Sequence, residues 1–190
     1  CLVGTSDTFK KNENIFGKVY FPRVIMPMSV VFSNLLKFGI QLLIFIAFYI
    51  YYMWFSHKDY SLTVQPNILM FPVLVIFMAL LGLGFGMIIS SMTTKYRDLS
   101  FLVQFGVQLL MYGSAVMYPM SYFKIKLPDY YWLIEWNPIA VLVEAFRTIV
   151  LGLGDLDYNK LIYAAIISIV TFLVGLIIFN KTEKSFIDTI

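Results

Sequence analysis

Cysteine occurs once in these 190 residues, at Cys1, and histidine once, at His57. A single cysteine excludes a disulfide within the sequence and a cysteine-based metal site. One histidine beside Lys58 and Asp59 cannot hold a metal ion, and reads as a solvated loop residue. Charge is scarce too: 13% of the residues are Asp, Glu, Lys or Arg, where soluble domains carry roughly a quarter. The net charge is only +3 and no Lys/Arg block forms a nucleic-acid footprint, so no nucleic-acid partner is expected. A nucleotide-binding loop is missing as well. Gly82-Leu83-Gly84-Phe85-Gly86 has no following Lys-Ser/Thr and lies inside an uncharged apolar run, so any ATP-driven function would draw on a separate subunit. No catalytic constellation is present.

What the chain has in plenty is apolar and aromatic surface. Sixty per cent of the residues are hydrophobic, 18 Phe, 13 Tyr and 3 Trp among them, and the mean hydropathy is +0.81. That composition belongs to an integral membrane protein with interfacial aromatic belts. Four runs reach the roughly 20 helical residues that a bilayer core of about 30 Å requires: 28–55, 67–92, 99–117 and 161–180, the third only just. The expected fold is all-α, a polytopic membrane bundle of four full spans with short re-entrant helices beside them. A single domain is divided as 1–27, a cytoplasmic segment; 28–117, three spans; 118–158, an outer region; 159–180, the last span; and 181–190, a tail. A first residue other than Met fits a piece of a longer chain, one or more spans preceding it.

Lysine and arginine set the orientation. Lys10, Lys11, Lys18 and Arg23, then Lys95 and Arg97, then Lys181 and Lys184 fall on one side. The alternate loops dilute their bases with Asp59, Asp129, Glu135, Glu144, Asp155 and Asp157. The first side is therefore cytoplasmic. The stretch 96–152 is the most informative part of the chain. Residues 99–123 run for 25 positions without a formal charge, Tyr118-Pro119 breaks the run, and Asn137-Pro138 opens a short apolar helix ending at Leu151-Gly152. That helix is too short and too charged to cross, which points to a re-entrant gating element.

Several side chains are candidates for function. Ser33, Asn34, Lys37 and Gln41 share one face of the first span, where a buried cation or amide marks an aqueous path. Lys37 has a second reading: it lies about ten residues, or 15 Å, from Pro27 and can snorkel to the headgroups. Gln104, Gln108 and Tyr112 form a stripe on the third span, flanked by Phe101 and Phe105. The stripe suits a path for sugars through stacking and hydrogen bonds, and equally an interhelical contact. Gly82, Gly86 and Ser90 make a small-residue face for close helix packing. Glu144 and Arg147, three apart, can pair either as a desolvated latch or as a solvated surface pair worth well under about 1 kcal/mol.

In order, Phe21-Pro22-Arg23 with Pro27, Tyr96-Arg97-Asp98, Met117-Tyr118-Pro119, Asn137-Pro138, Phe146-Arg147 closing on Gly152, and Phe186-Ile187-Asp188 resemble the permease subunit of type-two ATP-binding-cassette exporters. The likeness is to the group that exports O-antigen, capsular polysaccharide or teichoic acid. It covers essentially the whole chain and implies the last four spans of a six-span permease. Such a permease forms a homodimer, docks an ATPase subunit that binds ATP and Mg, and moves a lipid-linked glycan through a bacterial cytoplasmic membrane. By the same resemblance Lys18, Tyr20, Phe21, Pro22 and Arg23 form a coupling segment on the ATPase, and Tyr96, Arg97 and Asp98 a second contact. Tyr118, Pro119, Asn137, Pro138, Glu144 and Arg147 belong to an outer gate. An exporter of small molecules, a membrane scaffold without a path, and a membrane-embedded glycosyl-transfer enzyme are the alternatives. The last has little beyond Glu135 and Glu144 to offer as paired acids.

Overall fold

The computed structural model describes residues 1–8, 24–55, 66–96, 98–126, 128–152 and 156–187. Among them the fold is wholly helical: α1 (Leu2–Ser6), α2 (Ile25–Phe55), α3 (Phe71–Lys95), α4 (Leu99–Gly113), α5 (Met120–Lys126), α6 (Tyr131–Glu135), α7 (Pro138–Leu151) and α8 (Tyr158–Ile187). Short 3-10 turns precede α3 at Pro66–Met70 and α6 at Pro128–Tyr130. Three stretches, Ile25–Tyr52, Asn67–Thr93 and Tyr158–Thr182, are long and apolar enough to cross a membrane. Their polar side chains are largely met by their own backbone: Ser91 Oγ donates to Met87 O at 2.9 Å, Ser168 Oγ to Ala164 O at 2.6 Å and Thr182 Oγ1 to Ile178 O at 3.0 Å. This is how hydroxyls are tolerated where water is absent.

The hub is α3. Pro72 sits in its first turn, where a missing N–H leaves no bond unmade. One side packs on α8, whose buried positions Leu161, Ala164, Ser168, Gly175 and Phe179 recur at the helical period. The approach is close because two glycines meet. A Cβ on Gly84 would lie 2.7 Å from the Thr171 carbonyl oxygen, and one on Gly175 would lie 2.5 Å from the Gly84 oxygen. The opposite side carries Gly82 and Gly86, and α1 lies on them: added Cβ atoms would come within 3.0 Å of Cys1 Cβ and 2.5 Å of Thr5 Cβ. The Gly82–Ser90 face therefore seats a helix, and Gly84, which the spacing argument passed over, seats another.

The expected third span is shorter than its apolar run. The sequence carries it to Met117, but α4 stops at Gly113 after 15 residues, about 22 Å of helix and less than a bilayer core. Among the described residues, three helices are long and apolar enough to cross and one shorter apolar helix stands where the third of four spans was expected. The interruption is a turn through Ser114 and Ala115, both 1% exposed, with Ala115 in the left-handed region at φ 52°. Such a conformation costs a residue with a Cβ about 1–2 kcal/mol, so something outside the turn holds it.

Of all the helices, α7 is seated deepest although it is only 14 residues long. Ala140, Val141, Leu142, Ala145 and Ile149 are buried in a cluster with Leu74 and Leu81 of α3, Leu161 and Ala164 of α8, Met120 and Ala115. By contrast α2 touches the bundle mainly near Val31, which joins Leu83, Met87 and Phe179 in a second cluster, and leaves most of its outer half exposed. Replacing Gly84 or Gly175 by Val pushes α3 and α8 apart. A loss of about 1–3 kcal/mol is expected, whereas Gly106→Ala, with nothing within 4 Å of the new Cβ, is expected to be neutral or to stabilise by up to about 1 kcal/mol; thermal unfolding of the detergent-solubilised protein checks the contrast.

Candidate functional site

The outer gate expected from 118–152 resolves into α5, α6 and α7, held to the end of α4 by two side chains of α7. Asn137 caps α7: its Oδ1 accepts from Ile139 N at 3.0 Å, and Pro138 fills the first helical position. Gly152, at φ 68°, closes the other end, its N–H donating to Thr148 O at 3.0 Å. The amide of Asn137 also faces α4, Nδ2 donating to Gly113 O at 3.1 Å and Ser114 Oγ at 3.2 Å. Arg147 lies further along α7. Its Nη2 donates to Ala115 O and Val116 O, both at 3.3 Å, and its Nη1 pairs with Glu144 Oε2 at 2.7 Å. The same Glu144 oxygen accepts a long bond, 3.5 Å, from Met120 N at the start of α5. Helix ends leave such carbonyls and N–H groups without partners, and a cation is favoured where carbonyls collect.

The Glu144–Arg147 pair is thus neither free in solvent nor fully desolvated. Their side chains are 24% and 18% exposed, and each also binds backbone of the interrupted segment. Tyr118 and Pro119 lie in that turn, Tyr118 stacked on Tyr122 with ring centroids 5.0 Å apart. A second anchor was not foreseen. Lys160 Nζ, at the start of α8, reaches Glu135 Oε1 at 2.6 Å, and Trp136 packs edge-on to Tyr163, whose hydroxyl donates to Trp136 O at 3.1 Å. Sequence spacing cannot find a pair 25 positions apart; the acidic character of the outer loops was the available signal.

The candidate path residues are not gathered into one cavity. A cavity of about 450 Å³ opens between α2, α3, α4 and α7, walled by Phe38, Met78, Phe85, Leu110, Leu142 and Phe146. Asn34 lines it but spends its Nδ2 on Val30 O at 2.9 Å. Lys37 and Gln41 lie on the exposed face of α2; Gln104, Gln108 and Tyr112 lie on the exposed side of α4, away from the Val103 and Val107 side that packs inward. Both polar stripes therefore point out of the single chain.

Of the residues expected on the cytoplasmic side, Lys18, Tyr20, Phe21, Pro22, Arg23 and Arg97 lie outside the described residues. Tyr96 and Asp98 are exposed between α3 and α4. Beside them runs a buried hydroxyl seam that the sequence reading missed: Thr93 Oγ1 lies 3.1 Å from Ser6 O and 3.0 Å from Ser90 O and shares its one proton between them, tying α1 to the end of α3.

Among the described residues the chain is a helical bundle with a short α5–α7 segment braced against the end of α4, and the chain belongs to the ABC-2 type transporter family, whose pattern matches residues 1–151. Among its relatives are the O-antigen export system permease protein RfbA of Klebsiella pneumoniae, 27% identical over 184 residues, covering 95% of this chain and 66% of the relative. The RfbA of Myxococcus xanthus is 23% identical over 187 residues, 98% of this chain and 68% of that protein. The polysialic acid transport protein KpsM of Escherichia coli is 23% identical over 182 residues, 94% and 65%. The chain thus spans about two thirds of the length of these relatives.

Two substitutions separate capping from charge. Asn137→Ala removes the α7 cap and the bonds to Gly113 and Ser114, and is expected to cost about 1–2 kcal/mol. Arg147→Lys keeps a cation for Glu144 but lacks the second nitrogen that reaches the Ala115 and Val116 carbonyls while the first holds the carboxylate, and a similar loss of about 1 kcal/mol is expected. Chemical unfolding in detergent measures both, and stability unchanged in either variant contradicts the assignment.

Proposed function

We propose that the chain is the membrane permease of an ABC transporter that exports a lipid-linked polysaccharide, of O-antigen, capsule or teichoic acid type, across the bacterial cytoplasmic membrane. The observation that carries the reading is the match to polysaccharide-export permeases over 94–98% of this chain, through both cytoplasmic segments and the outer helices. ATP and Mg are bound by a separate ATPase subunit, and two permease copies flank the path.

In this reading Lys18, Tyr20, Phe21, Pro22 and Arg23, with Tyr96, Arg97 and Asp98, receive the movement of the ATPase. A ligand shifts a conformational equilibrium only through contacts that differ between the two states, and in this reading these residues supply them, Lys18, Arg23 and Arg97 with positive charge. The spans then move as packed bodies, which suits the glycine-tight α3–α8 unit. The outward-facing Lys37 and Gln41 on α2 and Gln104, Gln108 and Tyr112 on α4 line the path between the copies, with Asn34 at the edge of the neighbouring cavity; amides and aromatic rings meet hydroxyls and sugar faces. Tyr118, Pro119, Asn137, Pro138, Glu144 and Arg147 form the outer gate.

The test pairs export with hydrolysis. In the intact transporter, Tyr20→Ala and Arg97→Ala are expected to leave ATP hydrolysis running while surface glycan, read by immunoblot, is lost. Normal surface glycan in both variants removes the coupling assignment. Export of a hydrophobic drug without lipid-linked glycan overturns the substrate class.

A further inference from the structure

Alanine is the best helix former, yet Ala115 is the one non-glycine residue at positive φ among the described residues, and it is buried. Nothing in Ser114-Ala115-Val116-Met117 forbids a helix: glycine precedes the run and proline follows only at Pro119. The interruption is imposed from α7. Gly113 O is taken by Asn137, and Ala115 O and Val116 O by Arg147. Were the four residues helical instead, Gly113 O would be met by the N–H of Met117, and Ala115 would leave the left-handed region. One segment therefore has two ways to meet the Gly113 carbonyl. The helical one makes α4 about 19 residues long, roughly 28 Å, close to the thickness of a bilayer core.

We propose that residues 114–117 are a two-state hinge. In the state seen here Asn137 and Arg147 hold them folded back and α4 short; in the other they add a turn to α4 and carry α5 by about 6 Å along the helix axis. Glu144 makes the exchange concerted, because the oxygen that pairs with Arg147 also receives Met120 N at the start of α5. Releasing Arg147 frees both ends of the turn at once. The hinge gives a mechanical content to the outer-gate reading of 118–152 and rests on it for its role in transport. The buried left-handed alanine is the stored bias towards release, an outlier of the kind that collects at switching elements.

Pulsed electron resonance on the intact transporter in nanodiscs tests this. Spin labels replace Leu102 on α4 and Ser121 on α5, both exposed, in a background carrying Cys1→Ser. Arg147→Met, which removes the bonds to Ala115 O, Val116 O and Glu144, is expected to raise the longer-distance population at least about fivefold, the net effect of no less than one lost hydrogen bond. Adding Ala115→Gly, which makes the left-handed turn comfortable, is expected to return most of that population to the shorter distance. A single distance that Arg147→Met does not move, or a longer population that Ala115→Gly leaves unchanged or raises, overturns the hinge. If the distances shift as expected while glycan export by Ala115→Gly and Arg147→Met stays normal, the hinge stands and the gate reading fails.

Discussion

Where a helix stops inside a membrane, its last carbonyls must find donors from protein, because the surrounding hydrocarbon offers none. Most of the outer half of this chain follows from that requirement at a single place, the end of α4. Gly113, Ala115 and Val116 expose their oxygens there, and Asn137 and Arg147 supply the N–H groups. Both donors belong to α7, so α7 must be rigid, capped and close. The Asn137 cap, the Pro138 start and the Gly152 stop make it rigid. Its Ala140, Val141, Leu142 and Ile149 face keeps it seated between α3 and α8. Glu144 then balances the Arg147 cation and takes up Met120 N.

Two kinds of contact divide the molecule. The inner and central part is held by backbone closeness: Gly84 against Gly175, Gly82 and Gly86 against α1, with hydroxyls bonded back to their own helices. That is the packing expected where apolar side chains gain nothing over lipid by touching one another. The outer part is held by charged and amide side chains reaching across elements, Arg147 and Asn137 on one side, Lys160 and Glu135 on the other. The first kind suits bodies that move without deforming. The second can be exchanged one bond at a time, which is what an opening segment requires.

Much of this was legible in the sequence. The scarcity of charge and the long apolar runs led to the membrane bundle, and Asn137-Pro138 with Leu151-Gly152 marked both ends of α7 because caps are local chemistry. The family likeness rested on motifs in register with the spans, and the ABC-2 match agrees with it. The end of α4 was misplaced because an apolar run records what can be helical, while Asn137 and Arg147, 23 to 32 positions beyond the groups they bind, decide where it stops. Gly84 and Gly175 escaped for a similar reason: each fits only against the other, 91 positions away, and neither belongs to the every-fourth-residue face that drew attention to Gly82 and Gly86. The polar stripes were visible as stripes, and the single chain presents Lys37, Gln41, Gln104, Gln108 and Tyr112 outward.

The central claim is that α5, α6 and α7 dip from the outer face and return to it between α4 and α8. Single cysteines at Asp129 and Asn159, and separately at Asp98 and Lys181, in a Cys1→Ser background test it with a membrane-impermeant maleimide on intact cells. The account predicts that Asp129→Cys and Asn159→Cys are both labelled from outside, while Asp98→Cys and Lys181→Cys react only after the membrane is opened. Labelling of positions 129 and 159 from opposite sides would make the segment a full crossing and contradict the account.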